Sequence, residues 1–251
     1  EIASCLVGSE MCIRDRRIGG LSDFEMYPVI GMETPYAYRN KAQFPVGEDK
    51  DGNIVIGFYA GRTHHIVEQT DCCIGAPENG EVLRKVKAYM QKNQIRPYNE
   101  EHHSGIVRHI LIRTGYHTKE IMVCLIVNAA KASCLKNAEQ LTESLREMDG
   151  MTSVMVNFNT EKTNVILGKK SEVLWGQPYI EDFIGDVKYQ ISPQSFFQVN
   201  PMQTEKLYAK ALEYAGLTGN ETVWDLYCGI GTISLFLSLI HISEPTRQEA
   251  I

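Results

Sequence analysis

The segment Asp225-Leu226-Tyr227-Cys228-Gly229-Ile230-Gly231-Thr232 is the stretch best supplied with residues that could do chemistry. A β-forming run, Thr222-Val223-Trp224, ends at an acid, two glycines follow at i and i+2, and Ile233 to Leu237 open an apolar helix. Thr, Val and Trp favour a strand. Glycine reaches backbone angles that residues with a Cβ resist, and it lets a ligand approach closely. A strand-to-helix turn is where open α/β sheets bind ligands, although a bare Gly-x-Gly equally describes a tight packing turn.

Gln198 is the second candidate. Its amide can donate and accept, and it lies in Ser192-Pro193-Gln194-Ser195-Phe196-Phe197-Gln198-Val199-Asn200-Pro201. That run leads into a helix capped by Asn200, opened by Pro201 and stopped at Gly216. Arg39 and Lys41, at i and i+2, share one face of a strand. They suit either a solvated edge or a phosphate contact. Arg108, His109 and Arg113 decorate a later strand and are expected to face RNA or water.

The seven cysteines include no Cys-x-x-Cys pair. The adjacent Cys72 and Cys73 are poor partners in one tetrahedral site, so a complete zinc or cluster site within the chain is not expected. An odd, scattered set with no export signal suggests reduced thiols in a cytoplasm. His64 and His65 read as polar strand residues and Cys124 as a small core residue.

The elements that must position these groups follow from periodicity. Residues 38–46 and 54–59 read as a hairpin around Asp51-Gly52-Asn53. Val82, Val86 and Met90, four apart, predict a helix over 78–93. Residues 105–114 and 120–128 form a strand pair, and Ile121 to Val127 is apolar on both faces, as a central strand is. A helix over 133–148, a strand over 153–158, a polar Asx-rich loop and short strands to Ile191 complete an α+β pattern.

Composition bounds the partners. The chain has 251 residues, 43% hydrophobic and 22% charged, with a formal net charge of −6. It can bury a core, and any RNA-binding surface must be local. No apolar run reaches the roughly 18–20 residues that span a bilayer. Residues 5–16 show neither helical nor strand periodicity, and both 1–16 and 239–251 resemble translated sequencing-adapter sequence. They are expected to be foreign, leaving about 17–238 as a fragment cut at both ends. The first segment carries two basic and three acidic residues and the second one and two, so their removal takes the charge to −4.

Four motifs in order carry a family resemblance: Tyr38-Arg39-Asn40-Lys41 with Phe44-Pro45-Val46, Lys162-Thr163-Asn164-Val165-Ile166-Leu167-Gly168, the Gln198 segment and the Asp225–Thr232 turn. Together they resemble the RNA uracil-5-methyltransferases, and most closely the bacterial enzymes that act on ribosomal RNA. The resemblance implies an α/β fold: the start of a Rossmann-like S-adenosylmethionine methyltransferase domain (186–238) preceded by an α+β, RNA-facing central domain (17–185). It implies S-adenosyl-L-methionine as cofactor, contacted by Gln198 and Tyr227, with Asp225, Gly229 and Gly231 shaping the pocket and Thr232 at a further contact. It implies covalent catalysis, in which a thiolate adds to uracil C6, C5 takes the methyl group and a glutamate removes the C5 proton. The target base must leave its stack. Nucleophile and base belong downstream of the turn, and Cys228 does not match the nucleophile, so this chain is expected to be inactive. Cys73 matches the fourth ligand of a four-iron four-sulfur cluster that many members carry, a cluster not expected here without the other three cysteines.

The expected partner is RNA, ribosomal first, with no membrane and no second copy, in the cytoplasm. A transfer-RNA methyltransferase, a non-catalytic RNA-binding module and a nicotinamide oxidoreductase are the competing readings. The last requires a further acid after the glycine turn.

Overall fold

The computed structural model describes residues 17–22 and 27–238. The segments expected to be foreign, 1–16 and 239–251, lie outside the described residues. The chain divides into two compact units, Glu1–Pro35 and Tyr36–Ile251. The described part of the first is mostly irregular backbone, and the second carries all the strands considered below.

Among its described residues, nine strands and four α-helices order the second unit: β1 (Lys41–Glu48), β2 (Ile54–Tyr59), β3 (Ile66–Glu68), α1 (Asn79–Lys92), β4 (Val107–Thr114), β5 (Ile121–Val127), α2 (Ala138–Arg146), β6 (Met151–Phe158), β7 (Lys170–Gly176), β8 (Ile180–Ile184), β9 (Val187–Ile191), α3 (Pro201–Ala215) and α4 (Thr232–Ser238). Seven strands form one sheet in the order β3-β2-β1-β4-β5-β6-β7, and β8 and β9 form a separate hairpin. All pairings in the large sheet are antiparallel except β5 with β6. That parallel pair is bridged by α2, as a parallel connection requires a crossover.

Strand periodicity distributes the core between two faces. On one, Ile110, Ile112, Val123, Leu125, Val154 and Val156 meet Val82, Leu83, Val86 and Met90 of α1 and Leu141 and Leu145 of α2. On the other, Leu111, Met122, Cys124, Ile126 and Met155 meet Ile180, Ile184, Tyr189, Ile191, Phe197 and Tyr208. β5 is buried along its whole length, as its uninterrupted apolar run predicts. Burial holds the Cys124 thiol up at about 12, so it packs as an inert small side chain.

β1 pairs with β4 over 41–45 and with β2 over 46–48. Pro45 sits where the strand passes from one neighbour to the other, a place that spares the ladder the N–H proline lacks. The expected strand at 222–224 does not form. Val223 and Trp224 are exposed, and no strand among the described residues pairs with them. β propensity reflects packing on a pleated surface, and these three residues have no such neighbour.

Candidate functional site: a glycine turn and a pinned loop

Gln198 is positioned by the sheet. The backbone N–H of Asn40 donates to the Val199 carbonyl at 3.1 Å, and its side-chain Nδ2 donates to the Gln198 carbonyl at 3.0 Å. From β4, Arg113 donates to the carbonyls of Pro193, at 3.2 Å, and Ser195. Within the loop, the Ser192 and Ser195 hydroxyls bond each other at 2.9 Å. Beyond it, Asn200 caps α3 by accepting from the Gln203 N–H at 3.2 Å, and Gly216 closes the helix at φ +56°. Both helix signals read from the sequence are therefore present.

The glycine turn is anchored from below. Gly229 and Gly231 adopt φ of +58° and +80°, the left-handed region where glycine carries no Cβ penalty. The Gly231 N–H donates to the Cys228 carbonyl at 2.7 Å. Thr232 opens α4 and is buried. Its hydroxyl bonds that of Tyr208 at 2.9 Å, and its carbonyl accepts from the Tyr189 hydroxyl at 3.1 Å. Asp225 accepts from the Ser234 hydroxyl at 2.5 Å, tying the start of the turn to α4. Tyr189 also packs on Phe197, with ring centroids 5.7 Å apart. The residue preceding Gln198 and the residue following the turn thus share one tyrosine.

The upper surface of the turn is open. Tyr227 is 97% exposed, and a Cβ placed on Gly229 would meet no atom within 4 Å. An open glycine turn beside a free aromatic face, with the Asp225 carboxylate at its start and the Gln198 amide on the linked loop, suits one wall of a site for a polar, ring-bearing cofactor such as S-adenosylmethionine. Cys73 is exposed and Cys72 half-buried, and among the described residues no group of three His, Cys, Asp or Glu side chains could hold a metal ion.

The cations of β4 are placed otherwise than the sequence suggests. Arg108, His109 and Arg113 are buried rather than exposed to water, with Arg108 and His109 in the wall of a cleft. Arg108 donates to the carbonyls of Asn159 and Glu161, both at 2.8 Å, and of Thr163 at 3.4 Å, and it stacks over Tyr98 at 4.5 Å. Burial and the neighbouring Arg108 press the His109 pKa down to about 4. Burial brings that of Arg113 to about 10. These side chains hold loops, which their charge alone does not reveal. Asn40, Tyr189 and Tyr208 were not singled out as site residues either. In the sequence, Asn40 stands within the Tyr38-Arg39-Asn40-Lys41 motif as a small amide inside a strand-like run, with nothing to mark its bond to the Gln198 loop.

Two clefts among the described residues draw on β1 and β2 for part of their walls. One, of about 360 Å³, is lined by Arg39, Lys41, Gln43, Cys72, Asn79 and Val199 among others. The other, of about 300 Å³, is lined by Tyr59, His64, Tyr98, His109 and the acids Glu48, Glu100 and Glu101. In the second, Glu100 bonds His64 at 2.9 Å, and burial, reinforced by Glu100, holds the Tyr59 hydroxyl up at about 12.

No protein-family model matches the chain. It is 48% identical over 236 residues to a Bacillus cereus protein named as an uncharacterized RNA methyltransferase, covering 93% of this chain and 51% of that protein. A Clostridium tetani protein of the same name is 48% identical over 223 residues, 88% of this chain and 47% of its own length. The chain spans about half the length of the curated relatives it matches. Among solved structures, the Pyrococcus abyssi tRNA (uracil-54, C5)-methyltransferase, crystallised with S-adenosyl-L-homocysteine, superposes with a TM-score of 0.68 at 26% identity, over 83% of this chain and 48% of that one. In sequence and in fold, the chain is therefore related to one half of proteins named RNA methyltransferases.

Proposed function

We propose that this chain is part of an S-adenosylmethionine-dependent methyltransferase that forms 5-methyluridine in RNA. The observation that carries the reading is the joining of two motifs: Phe197 beside Gln198, and Thr232 beside the glycine turn, both meet Tyr189. A loop carrying Gln198 and an open glycine turn that share one tyrosine support a single methyl-donor site. The bound cofactor would supply an electrophilic methyl group. Gln198 and Asp225 would bind its polar groups, Tyr227 would lie against a ring, and Gly229 and Gly231 would let the backbone approach it.

The central sheet would present the RNA, with residues 17–185 as the RNA-facing domain and 186–238 as the first part of the cofactor domain. Ribosomal RNA, suggested by the motif resemblance, is the first substrate to test. Transfer RNA is the second, favoured by the printed substrate of the Pyrococcus abyssi neighbour. Cys73 would serve as a cluster ligand only where three further cysteines are supplied. A cytoplasmic monomer fits the reading, and no helix among the described residues is long and apolar enough to cross a membrane.

Titration with S-adenosyl-L-homocysteine tests the cofactor assignment. We expect saturable binding that Gln198→Ala and Tyr227→Ala each weaken at least tenfold, and equal binding by all three proteins would overturn it. We expect no methyl transfer to ribosomal or transfer RNA above background. Turnover on either would reject that expectation and identify the substrate.

A further inference from the structure

The cleft between β1, residues 72–75 and Val199 gathers positive charge on an otherwise acidic chain. Arg39 is exposed on its rim and Lys41 is half-buried in its wall. Directly across the β1–β4 ladder from Lys41 stands Arg113. Arg113 donates through Nη2 to backbone carbonyls, which take hydrogen bonds without cancelling its charge. Among the described residues none of the three cations has a carboxylate partner, although ion pairs occur elsewhere, as at Lys170–Glu172 and Lys188–Glu181. The Lys41 ammonium is accordingly held below its ordinary pKa, first by burial and then by Arg113 and Arg39.

The cleft also holds an unsatisfied donor. Asn79 is 4% exposed and lines the cleft, and its Nδ2 has no hydrogen-bond partner. A buried polar group without a partner costs about 1–3 kcal/mol, and uncompensated like charges add to the cost. One ligand relieves both: an anion with several acceptor oxygens. The other cleft, with three carboxylates at its edge, would repel the same ligand.

We propose that this cleft binds a backbone phosphodiester of the RNA substrate, through Arg39, Lys41 and Asn79. The proposal rests on the RNA-methyltransferase reading and deepens it. The cleft includes Val199, whose carbonyl is bonded to Asn40 in the same hydrogen-bonded step that fixes Gln198. A phosphate held there lies against the loop that carries the proposed cofactor-binding amide. It would fix the register of the strand while the target base is turned out, as phosphate contacts position and base contacts specify.

The test is fluorescence anisotropy with a labelled single-stranded, uridine-containing RNA, titrated from about 50 to 200 mM salt. Lys41→Gln and Arg39→Gln should each weaken binding several-fold at low salt and reduce the log–log salt slope by about 0.7, the value for one neutralised phosphate on a single strand. Lys170→Gln, a paired surface lysine on β7, should change neither. Chemical acetylation of the unaltered protein supplies a readout independent of any variant: RNA should protect Lys41 and leave Lys170 reactive. Wild-type affinity and slope in both cleft variants, or unprotected Lys41 in the presence of bound RNA, would overturn the cleft assignment while leaving RNA binding intact. Absence of RNA binding by the unaltered chain even at low salt would overturn the functional reading and the cleft with it.

Discussion

A residue's function here is set by what it bonds more than by its type. Arg113 resembles an RNA-facing cation in the sequence, yet it is buried and binds the Pro193 and Ser195 carbonyls. Replacing it with methionine would leave those carbonyls without their charged donor. We expect a loss of about 1.5–3 kcal/mol in denaturant unfolding, the range for hydrogen bonds to charged groups, and faster amide exchange over 192–200. His109 gives a pH prediction whose sign is fixed. Its pKa is near 4 in the folded protein and near 6.5 in an unfolded chain. At neutral pH both states are uncharged and stability is complete. As pH falls from about 6.5 towards 4, the unfolded chain takes up a proton that the folded one refuses, and about 3 kcal/mol is lost. Unfolding midpoints at pH 7 and 4.5 should therefore separate in the parent and converge in His109→Asn. Such roles were illegible in the sequence because the partners are distant: Asn40 and Gln198 lie 158 positions apart.

Elements were more legible, because periodicity is local. The spacing of Val82, Val86 and Met90 identifies the buried face of α1, and all three are fully buried. The Asn200–Pro201 start and Gly216 stop of α3 are where the sequence places them. The helix expected over 133–148 is shorter, Ala138–Arg146, and is preceded by a 3-10 turn at Ala132–Cys134. The strand at 222–224 failed because a strand requires a partner that local pattern does not contain. What connects the elements at the site is tyrosine. Tyr208 and Tyr189 hold Thr232 through its hydroxyl and carbonyl. Thr232→Val keeps the shape of the side chain but removes the hydroxyl from Tyr208. It should cost about 1 kcal/mol, one ordinary buried hydrogen bond. It should also weaken S-adenosyl-L-homocysteine binding by loosening α4 beneath the turn, whereas the conservative Thr232→Ser should restore both properties. An equal affinity in Thr232→Val would separate α4 from the site.

At the scale of the whole molecule, packing is uneven, and the unevenness predicts where a ligand acts. β4, β5 and β6 sit in the middle of the sheet between two apolar layers. Residues 217–231 carry little regular structure and leave Trp224, Leu226 and Tyr227 at 80%, 76% and 97% exposure. Opening free energies within one protein run from near zero in weakly packed segments to the global value in core strands. Amide exchange should therefore be slowest in β4–β6 and nearly unprotected across 217–231, save at Gly231, whose N–H is bonded to Cys228, and at Thr218 and Gly219, whose N–H groups donate to the Glu221 carboxylate. A ligand that binds the folded state stabilises it by RT ln(1 + [L]/Kd), about 2.7 kcal/mol at a hundredfold excess over Kd. If the glycine turn and the Gln198 loop are one site, S-adenosyl-L-homocysteine should slow exchange at 225–232 and 197–199 together, because Tyr189 joins them. Protection of the turn alone would mean that Gln198 stands outside the site. Protection confined to the acid-lined cleft at Tyr59 and Glu100 would move the cofactor to that cleft and reject the assignment.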